Sequence, residues 1–299
     1  MRVLFIHQNF PAQFKHLAPA LAADPNNQVV AMTMRPNQPK VWQGVHVVAY
    51  GAKRSSTPNI HPWVVDIESK VIRGEAAFYA ALALKKSGFT PDVIIAHCGW
   101  GESLFVKDVW PNAKLAIYSE FYYHAKGADV GFDPEFPSTL IEECRIRVKN
   151  TNNLLHFEVA DAGLSPMHWQ ASTFPQIFRE KITVIHDGID TQAIAPNAQV
   201  SMNFEHQQHK VTLTKQDQVI TFVARNLEPY RGYHIFMRAL PQILRDNPQA
   251  KVLIVGGDGV SYGKEAPNGQ TWKNIFLDEI KDKLDMSRVF FLGQVPYPQ

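Results

Sequence analysis

Cysteine is almost missing: Cys98 and Cys144 are the only two in 299 residues, which excludes a disulfide-stapled secreted scaffold. No run of 18 apolar residues occurs, so the sequence offers no membrane-spanning helix. The first apolar run, Val3-Leu4-Phe5-Ile6, gives way at once to His7-Gln8-Asn9; it is too short for a signal-peptide core and reads as a strand. Neither sign of charge dominates, with Lys+Arg 30 against Asp+Glu 28 and a net +2, so nucleic acid is not expected as a partner. A glycine-rich dinucleotide fingerprint is also lacking. Neither Ile6-His7-Gln8 nor Ala224-Arg225-Asn226 supplies it, and Gly256-Gly257-Asp258-Gly259 has no final glycine at the required offset, which makes a dinucleotide-dependent oxidoreductase the weakest reading. With 45% hydrophobic and 19% charged residues, the chain is expected to be cytoplasmic and globular, with about two domains.

What is present is an alternation of strand and helix patterns. Strands are predicted at 3–6, 29–34, 45–50, 93–96, 115–118 and 182–185, and helices at 13–23 and 66–86. The long helix is expected to turn Val71, Phe78 and Leu82 inward. Ser165-Pro166 reads as an N-cap with proline at the first helical position. Residues 193–215 are polar with little periodicity and read as a linker. A second alternation follows, with strands at 219–224, 252–255 and 289–292 and helices at 233–244 and 272–284. The expected fold class is α/β, with two Rossmann-like doubly wound domains: 1–195, a linker over 196–216, and a partial second domain over 217–299.

The most informative segment is Phe222-Val223-Ala224-Arg225-Asn226-Leu227-Glu228-Pro229-Tyr230-Arg231-Gly232. It puts Arg225 at the carboxyl end of a strand read as buried and Arg231 at the amino end of the next helix. Ligands of open α/β sheets bind at that edge, and helix amino termini favour anions. Two permanent cations there suit a diphosphate; the plainer reading is two surface arginines in a loop.

Five motifs in order carry a family resemblance. Pro91-Asp92-Val93-Ile94-Ile95-Ala96-His97, Val184-Ile185-His186-Asp187-Gly188-Ile189-Asp190, the Arg225–Gly232 segment, Val252-Leu253-Ile254-Val255-Gly256-Gly257-Asp258-Gly259 and Val289-Phe290-Phe291-Leu292-Gly293 together resemble retaining family 4 glycosyltransferases. The resemblance implies a GT-B fold and a nucleotide-sugar donor. The acceptor would be a saccharide or a lipid-linked molecule. It implies His97 at the reacting centre; Arg225, Arg231 and Val295 on the donor; and Phe10, Glu120 and Tyr122 on the acceptor side. No metal and no cofactor are expected. The chain has no Asp-x-Asp, so protein cations would have to stabilise the leaving diphosphate. Arg231 stands where the family more often has lysine, which keeps the charge and changes the hydrogen-bond geometry.

Alternatives stay open at several positions. His97 also suits a packed core histidine, and His124 is a second candidate or a loop anchor. Cys98 reads as a buried thiol before a nucleophile. His206 and His209 lie in the expected linker without further metal ligands. Lys70, Arg73, Lys85 and Lys86 form a basic fringe open to peripheral membrane contact, or a solvated helix face. Paired glycines, which the family often has in its first turn, are replaced by Gln8-Asn9-Phe10-Pro11. The family's glutamate pair beyond Gly293 is absent, and the chain ends at Gln299 after about three of the second domain's strands. The expectation is therefore a fragment, or one half of a split enzyme completed by another chain. A non-catalytic nucleotide or phosphosugar binder is the runner-up.

Overall fold

The computed structural model describes residues 1–296 and divides into two units, Met1–Asp190 and Thr191–Gln299. Unit 1 runs β1 (Arg2–Ile6), α1 (Leu17–Ala22), β2 (Gln28–Thr33), β3 (Val41–Trp42), β4 (Val45–Ala49), α2 (Val65–Lys86), β5 (Val93–His97), α3 (Val106–Val109) and β6 (Lys114–Tyr118). It continues through α4 (Leu140–Lys149), α5 (Thr151–Val159), β7 (Ala162–Ser165), α6 (His168–Ser172), α7 (Gln176–Arg179) and β8 (Ile182–Val184). The sheet order is β3-β4-β2-β1-β5-β6-β7-β8, parallel except for β3. Strand order reverses between β1 and β5, and the loops leaving these two strands diverge at their carboxyl ends. This is the switch point at which open α/β sheets bind ligands.

Apolar side chains cover both faces of that sheet. Leu4, Ile6, Met32, Ile94, Leu115 and Ile117 are buried with Ala77, Ala81, Trp110 and Phe157 on one side. Val3, Phe5, Ala31 and Val47 are buried with Phe10, Phe14 and Ala18 on the other. These near-continuous apolar runs are what a parallel sheet covered on both faces requires. Among the described residues no helix is long and apolar enough to cross a membrane.

Unit 2 opens with an antiparallel hairpin, β9 (Ser201–His206) and β10 (His209–Thr214). It continues β11 (Val219–Asn226), α8 (Tyr233–Asp246), β12 (Lys251–Gly257), α9 (Trp272–Asp278) and β13 (Val289–Gly293), with the parallel order β11-β12-β13. One face of the sheet packs Leu253 and Phe290 against Leu213 of the hairpin. Met237, Leu240 and Leu244 of α8 are buried, as are Val252, Ile254 and Phe276.

Several expectations need correcting. The expected linker is largely the hairpin, and it belongs to unit 2. Its two-residue turn holds Gln207 and Gln208 at φ 48° and 67°, a conformation usually written Asn-Gly, so the usual sequence signal is missing. The helix expected over 13–23 splits into a 3₁₀ turn at Ala12–Phe14 and α1, because Pro19 has no N–H for the carbonyl four residues earlier. Helix α2 is rotated from the expected face: Val71 and Leu82 are exposed, while Lys70, Gly74, Ala77, Ala81 and Leu84 face inward. The smallest residues face in because the helix lies close to the next loop. A Cβ on Gly74 would sit 2.8 Å from the Gly101 carbonyl.

Ser165 ends β7 rather than capping a helix, consistent with the extended bias of a residue before proline, and α6 starts at His168. Strand β11 is not buried throughout; Thr221, Val223 and Arg225 alternate outward. Of the basic fringe, Lys85 and Lys86 are exposed, whereas Lys70 and Arg73 are engaged by the protein. Lys70 is buried against Asp66, Arg73 donates to Gln8 Oε1 at 3.1 Å, and Lys85 donates to the Val109 carbonyl at 2.7 Å.

Candidate functional site

His97 is the last residue of β5 and His7 the first beyond β1, so the switch point brings the two rings together, 5.0 Å apart edge to face. Both are buried. His7 Nδ1 accepts the Asn9 N–H at 2.9 Å and His97 Nδ1 accepts the Gly99 N–H at 3.1 Å. An Nδ1 that accepts leaves the proton on Nε2. His97 Nε2 therefore donates to Glu120 Oε2, 3.2 Å away. Gly99 is required by this arrangement, because a Cβ there would come within 2.7 Å of His97 Cε1. Burial, and then the neighbouring His97, hold the His7 pKa down to about 3.

The His97 ring is stacked on Tyr118 at 5.3 Å. The Tyr118 hydroxyl donates to Asp187, with Oδ1 at 2.8 Å and Oδ2 at 3.0 Å; burial and this carboxylate both raise its pKa. Asp187 of the His-Asp-Gly motif thus anchors the ring that supports His97. Glu120, just past β6, keeps an exposed carboxylate. The His97 hydrogen bond, outweighing burial, lowers its pKa below the ordinary glutamate value.

A run of asparagines closes the site from behind. Asn150, between α4 and α5, accepts the Tyr123 N–H at 3.0 Å and donates to the Tyr123 carbonyl at 2.7 Å. Asn153 donates to the Phe121 carbonyl and Asn152 to the Cys98 carbonyl. The result is a pocket in unit 1 between the loop after β5, the segment after β6, and helices α2, α4 and α5. Lys70, His97, Glu120, Tyr123, Lys149 and Asn152 are among its lining residues. Beneath it His156 Nδ1 donates to the Asn152 carbonyl at 2.7 Å and Nε2 accepts from the Ser103 hydroxyl at 2.8 Å. Burial lowers its pKa to about 4.

In unit 2 the carboxyl edge of the sheet is built around Glu228, which follows β11 and is fully buried. Its carboxylate accepts the Ser261 and Gly263 N–H groups at 3.1 Å each, and Asn226 donates to Ser261 Oγ at 2.8 Å. These bonds tie the loop after β12 to the loop after β11. Arg225 is the penultimate residue of β11 and exposed; Arg231 ends a 3₁₀ turn before α8 and lies over the Tyr262 ring at 5.1 Å. Neither guanidinium is paired with a carboxylate among the described residues.

The predicted residues therefore fall unevenly. His97 and Glu120 meet. Arg225 and Arg231 occupy the sheet edge and helix start expected of them. Val295 is half-buried, two residues past β13. Phe10 is a core side chain packed on Phe5 and Trp42, so its ring has no surface to offer an acceptor. Tyr122 packs on Phe174, while Phe121 and Tyr123 line the pocket. Successive side chains of an extended segment point to opposite sides, and the expectation fell on the wrong one. His124 donates to the Thr173 carbonyl at 2.7 Å and is a loop anchor. Cys98 is a core thiol, pushed up to about 12 by burial. The asparagines, Lys149 and Glu228 were missed; the spacing Thr139-x-x-Glu142, a capping box in the structure, was the sequence signal that α4 begins there.

Comparison with known proteins follows the same lines. The catalytic domain of starch synthase IV from Arabidopsis thaliana, solved with ADP and acarbose, superposes with a TM-score of 0.57 at 12% identity, covering 99% of this chain and 74% of that one. The apo UGT2 of Phytolacca americana gives 0.51 at 12% identity, covering 99% and 72%. S. aureus MnaA, solved with UDP, gives 0.48 at 9% identity, covering 98% and 68%. Likeness at such identities concerns the fold, which is GT-B. A comparison with curated proteins finds no match. Residues 25–194, more than half the chain, match the glycosyl transferase family 4 group, and the chain belongs to that family.

Proposed function

We propose that the protein transfers a sugar from a nucleotide-sugar donor to a hydroxyl of a saccharide or lipid-linked acceptor, with retention of anomeric configuration. The observation that carries the donor half is the pair of unpaired guanidiniums at the carboxyl edge of the unit 2 sheet, Arg225 on β11 and Arg231 before α8. A leaving nucleoside diphosphate gains negative charge as the sugar–phosphate bond breaks. Fixed cations aimed at that charge stabilise the transition state more than the ground state. Glu228 supports them by fixing the loop that carries Tyr262 beneath Arg231. The ADP held by the starch synthase domain and the UDP held by MnaA belong to those proteins; the base and sugar used here are read by experiment.

In unit 1, this reading gives His97 the reacting centre and Glu120 the acceptor. Glu120 is exposed, oriented by the His97 Nε2–H and ionised at neutral pH, so it can accept a hydrogen bond from the acceptor hydroxyl and draw its proton. No metal is assigned a part. The carboxylate–diphosphate interaction that a metal would mediate is given instead to the two arginines.

The test is calorimetric titration of nucleotide sugars, with NAD and NADP as controls, together with a sugar-transfer assay over a panel of acceptors, on the wild-type chain and Arg225→Ala. A charge–charge contact near a surface is worth about 4 kcal/mol at an effective dielectric of ~20, so the variant is expected to lose about 10²–10³ in turnover. A folded Arg225→Ala protein with near-wild-type activity overturns the reading. Donor binding without transfer to any acceptor favours a nucleotide-sugar binder, and a dinucleotide response alone favours an oxidoreductase.

A further inference from the structure

We propose that the unit 1 pocket receives the phosphate group of a phosphorylated sugar or polyol, with Lys149 as its counter-charge. The inference rests on the acceptor reading above and gives that acceptor a chemical class.

The argument begins with Lys149. It ends α4 and is half-buried, and its ammonium lies 3.7 Å from the centroid of the Tyr123 ring. No carboxylate lies within ion-pair distance of it among the described residues. Asp66 and Asp129 act on it only from farther away, and burial presses its pKa below the ordinary lysine range, with Lys70 and Arg145 adding repulsion. Partly buried charges are normally paired. An aromatic face offsets part of the lost hydration, but it leaves the charge open on its other sides. Lys70, from α2, lines the same pocket and is held in place by Asp66. The two backbones approach closely here: a Cβ on Gly101, which sits at φ 94°, would lie 2.4 Å from the Lys70 carbonyl. Lys149 is thus the ammonium beside this pocket that has no carboxylate within ion-pair distance among the described residues, and it suits one oxygen of a phosphomonoester.

Two further groups specify what the phosphate is attached to. The Asn152 side chain donates to the Cys98 carbonyl at 2.9 Å, which fixes its oxygen as the free end, and that oxygen is buried without a partner. Glu120 borders the same pocket as an exposed carboxylate. Neither can bond an unprotonated phosphate oxygen, and both can accept from a hydroxyl. The pocket is therefore polar in a definite sense, with an ammonium donor from α4 and acceptors from Glu120 and Asn152. Phe121 and Tyr123 complete the lining. A ligand carrying both a phosphate and hydroxyls satisfies each group; inorganic phosphate or a neutral sugar satisfies half.

The experiment titrates the full chain with glucose 6-phosphate, glycerol 3-phosphate, glucose and inorganic phosphate, and in a separate arm with phosphatidylcholine vesicles with and without phosphatidic acid. Wild-type protein, Lys149→Gln and Lys149→Arg are compared, each checked by circular dichroism and thermal unfolding. Expected are a phosphorylated polyol that binds at least about tenfold more tightly than glucose or inorganic phosphate, a loss of about tenfold or more in Lys149→Gln, and rescue in Lys149→Arg. Response to the free esters identifies a soluble phosphorylated acceptor and upholds the proposal; a response to phosphatidic acid alone, whose glycerol hydroxyls are all esterified, overturns it. Glucose binding as tightly as its phosphate, a folded Lys149→Gln protein of wild-type affinity, or no response to any phosphorylated probe overturns it. Nucleotide-sugar affinity measured on the same variants separates the two readings. Lys149→Gln is expected to leave it unchanged, whereas loss of the donor reading would show as an insensitive Arg225→Ala protein with phosphate binding intact.

Discussion

Buried titratable groups around the site pull stability in opposite directions with pH, and the opposition can be measured. His156 is fully buried with a pKa lowered by burial to about 4, and His7 is buried with one near 3. For a group whose folded pKa is depressed, the unfolded chain binds the extra proton, so stability is full above the unfolded value near 6.5 and is lost as pH falls. Between pH 7 and pH 5 each histidine is expected to withdraw about 2 kcal/mol. Glu102 does the reverse. It is fully buried, neither carboxylate oxygen has a partner among the described residues, and burial raises its pKa to about 7. Its folded state holds the extra proton, so its contribution is present at low pH and lost as pH rises through about 7. Over the same interval it returns about 2 kcal/mol. Urea unfolding followed by tryptophan fluorescence reads unit 1, which holds Trp42, Trp63, Trp100, Trp110 and Trp169, against Trp272 in unit 2. Relative to wild type, His156→Gln should lose about 2 kcal/mol less on going from pH 7 to 5, and Glu102→Gln about 2 kcal/mol more. The comparison is between slopes, so any constant cost of either substitution cancels. If both variants track the wild-type slope within about 0.5 kcal/mol, these groups are not buried in the protonation states argued here.

Three further outcomes follow from the site. Gly99→Ala should push the His97 ring off its bond to Glu120, costing about 10² in turnover with at most ~1–3 kcal/mol of stability; unchanged kinetics would remove His97 from the reacting centre. Glu120→Gln keeps the shape and removes the charge, so kcat should fall about 10²-fold. The acid limb of its kcat/KM profile, set in the wild type below the ordinary glutamate value, should vanish; an unmoved limb assigns it to another group. Turnover should be indifferent to a chelator such as EDTA, and inactivation restored by a divalent cation would return the diphosphate to a metal.

The architecture was legible where one signal sufficed. Runs such as Val3–Ile6 and Val93–Ala96 are apolar on both faces, so they announced parallel strands, and the strand–helix rhythm around them announced the doubly wound class. Elements were missed where the signal was conformational instead. The Gln207-Gln208 turn uses positive φ without glycine or asparagine, and its absence from the usual vocabulary hid the hairpin. The rotated face of α2 was misjudged for a related reason. Hydrophobic size pointed to Val71 and Leu82, whereas close approach of the backbone selected Gly74, Ala77 and Ala81.

The site divides along the same line. The meeting of His97 and Glu120 was reachable because each sits at or just past the carboxyl end of a strand, where topology alone delivers side chains to one edge. Phe10 was chosen on similar grounds and fails, since a turn residue can fold back under its own strand. Lys149, Asn150, Asn152 and Asn153 were out of reach because their value lies in partners distant in sequence: Cys98, Phe121 and Tyr123. A run of polar residues looks like solvated surface until the carbonyls it satisfies are known. Once they are, the same run explains why an aromatic, otherwise irregular segment after β6 is held rigid enough to shape a pocket. It also holds the Tyr123 ring in place beside the half-buried Lys149 ammonium.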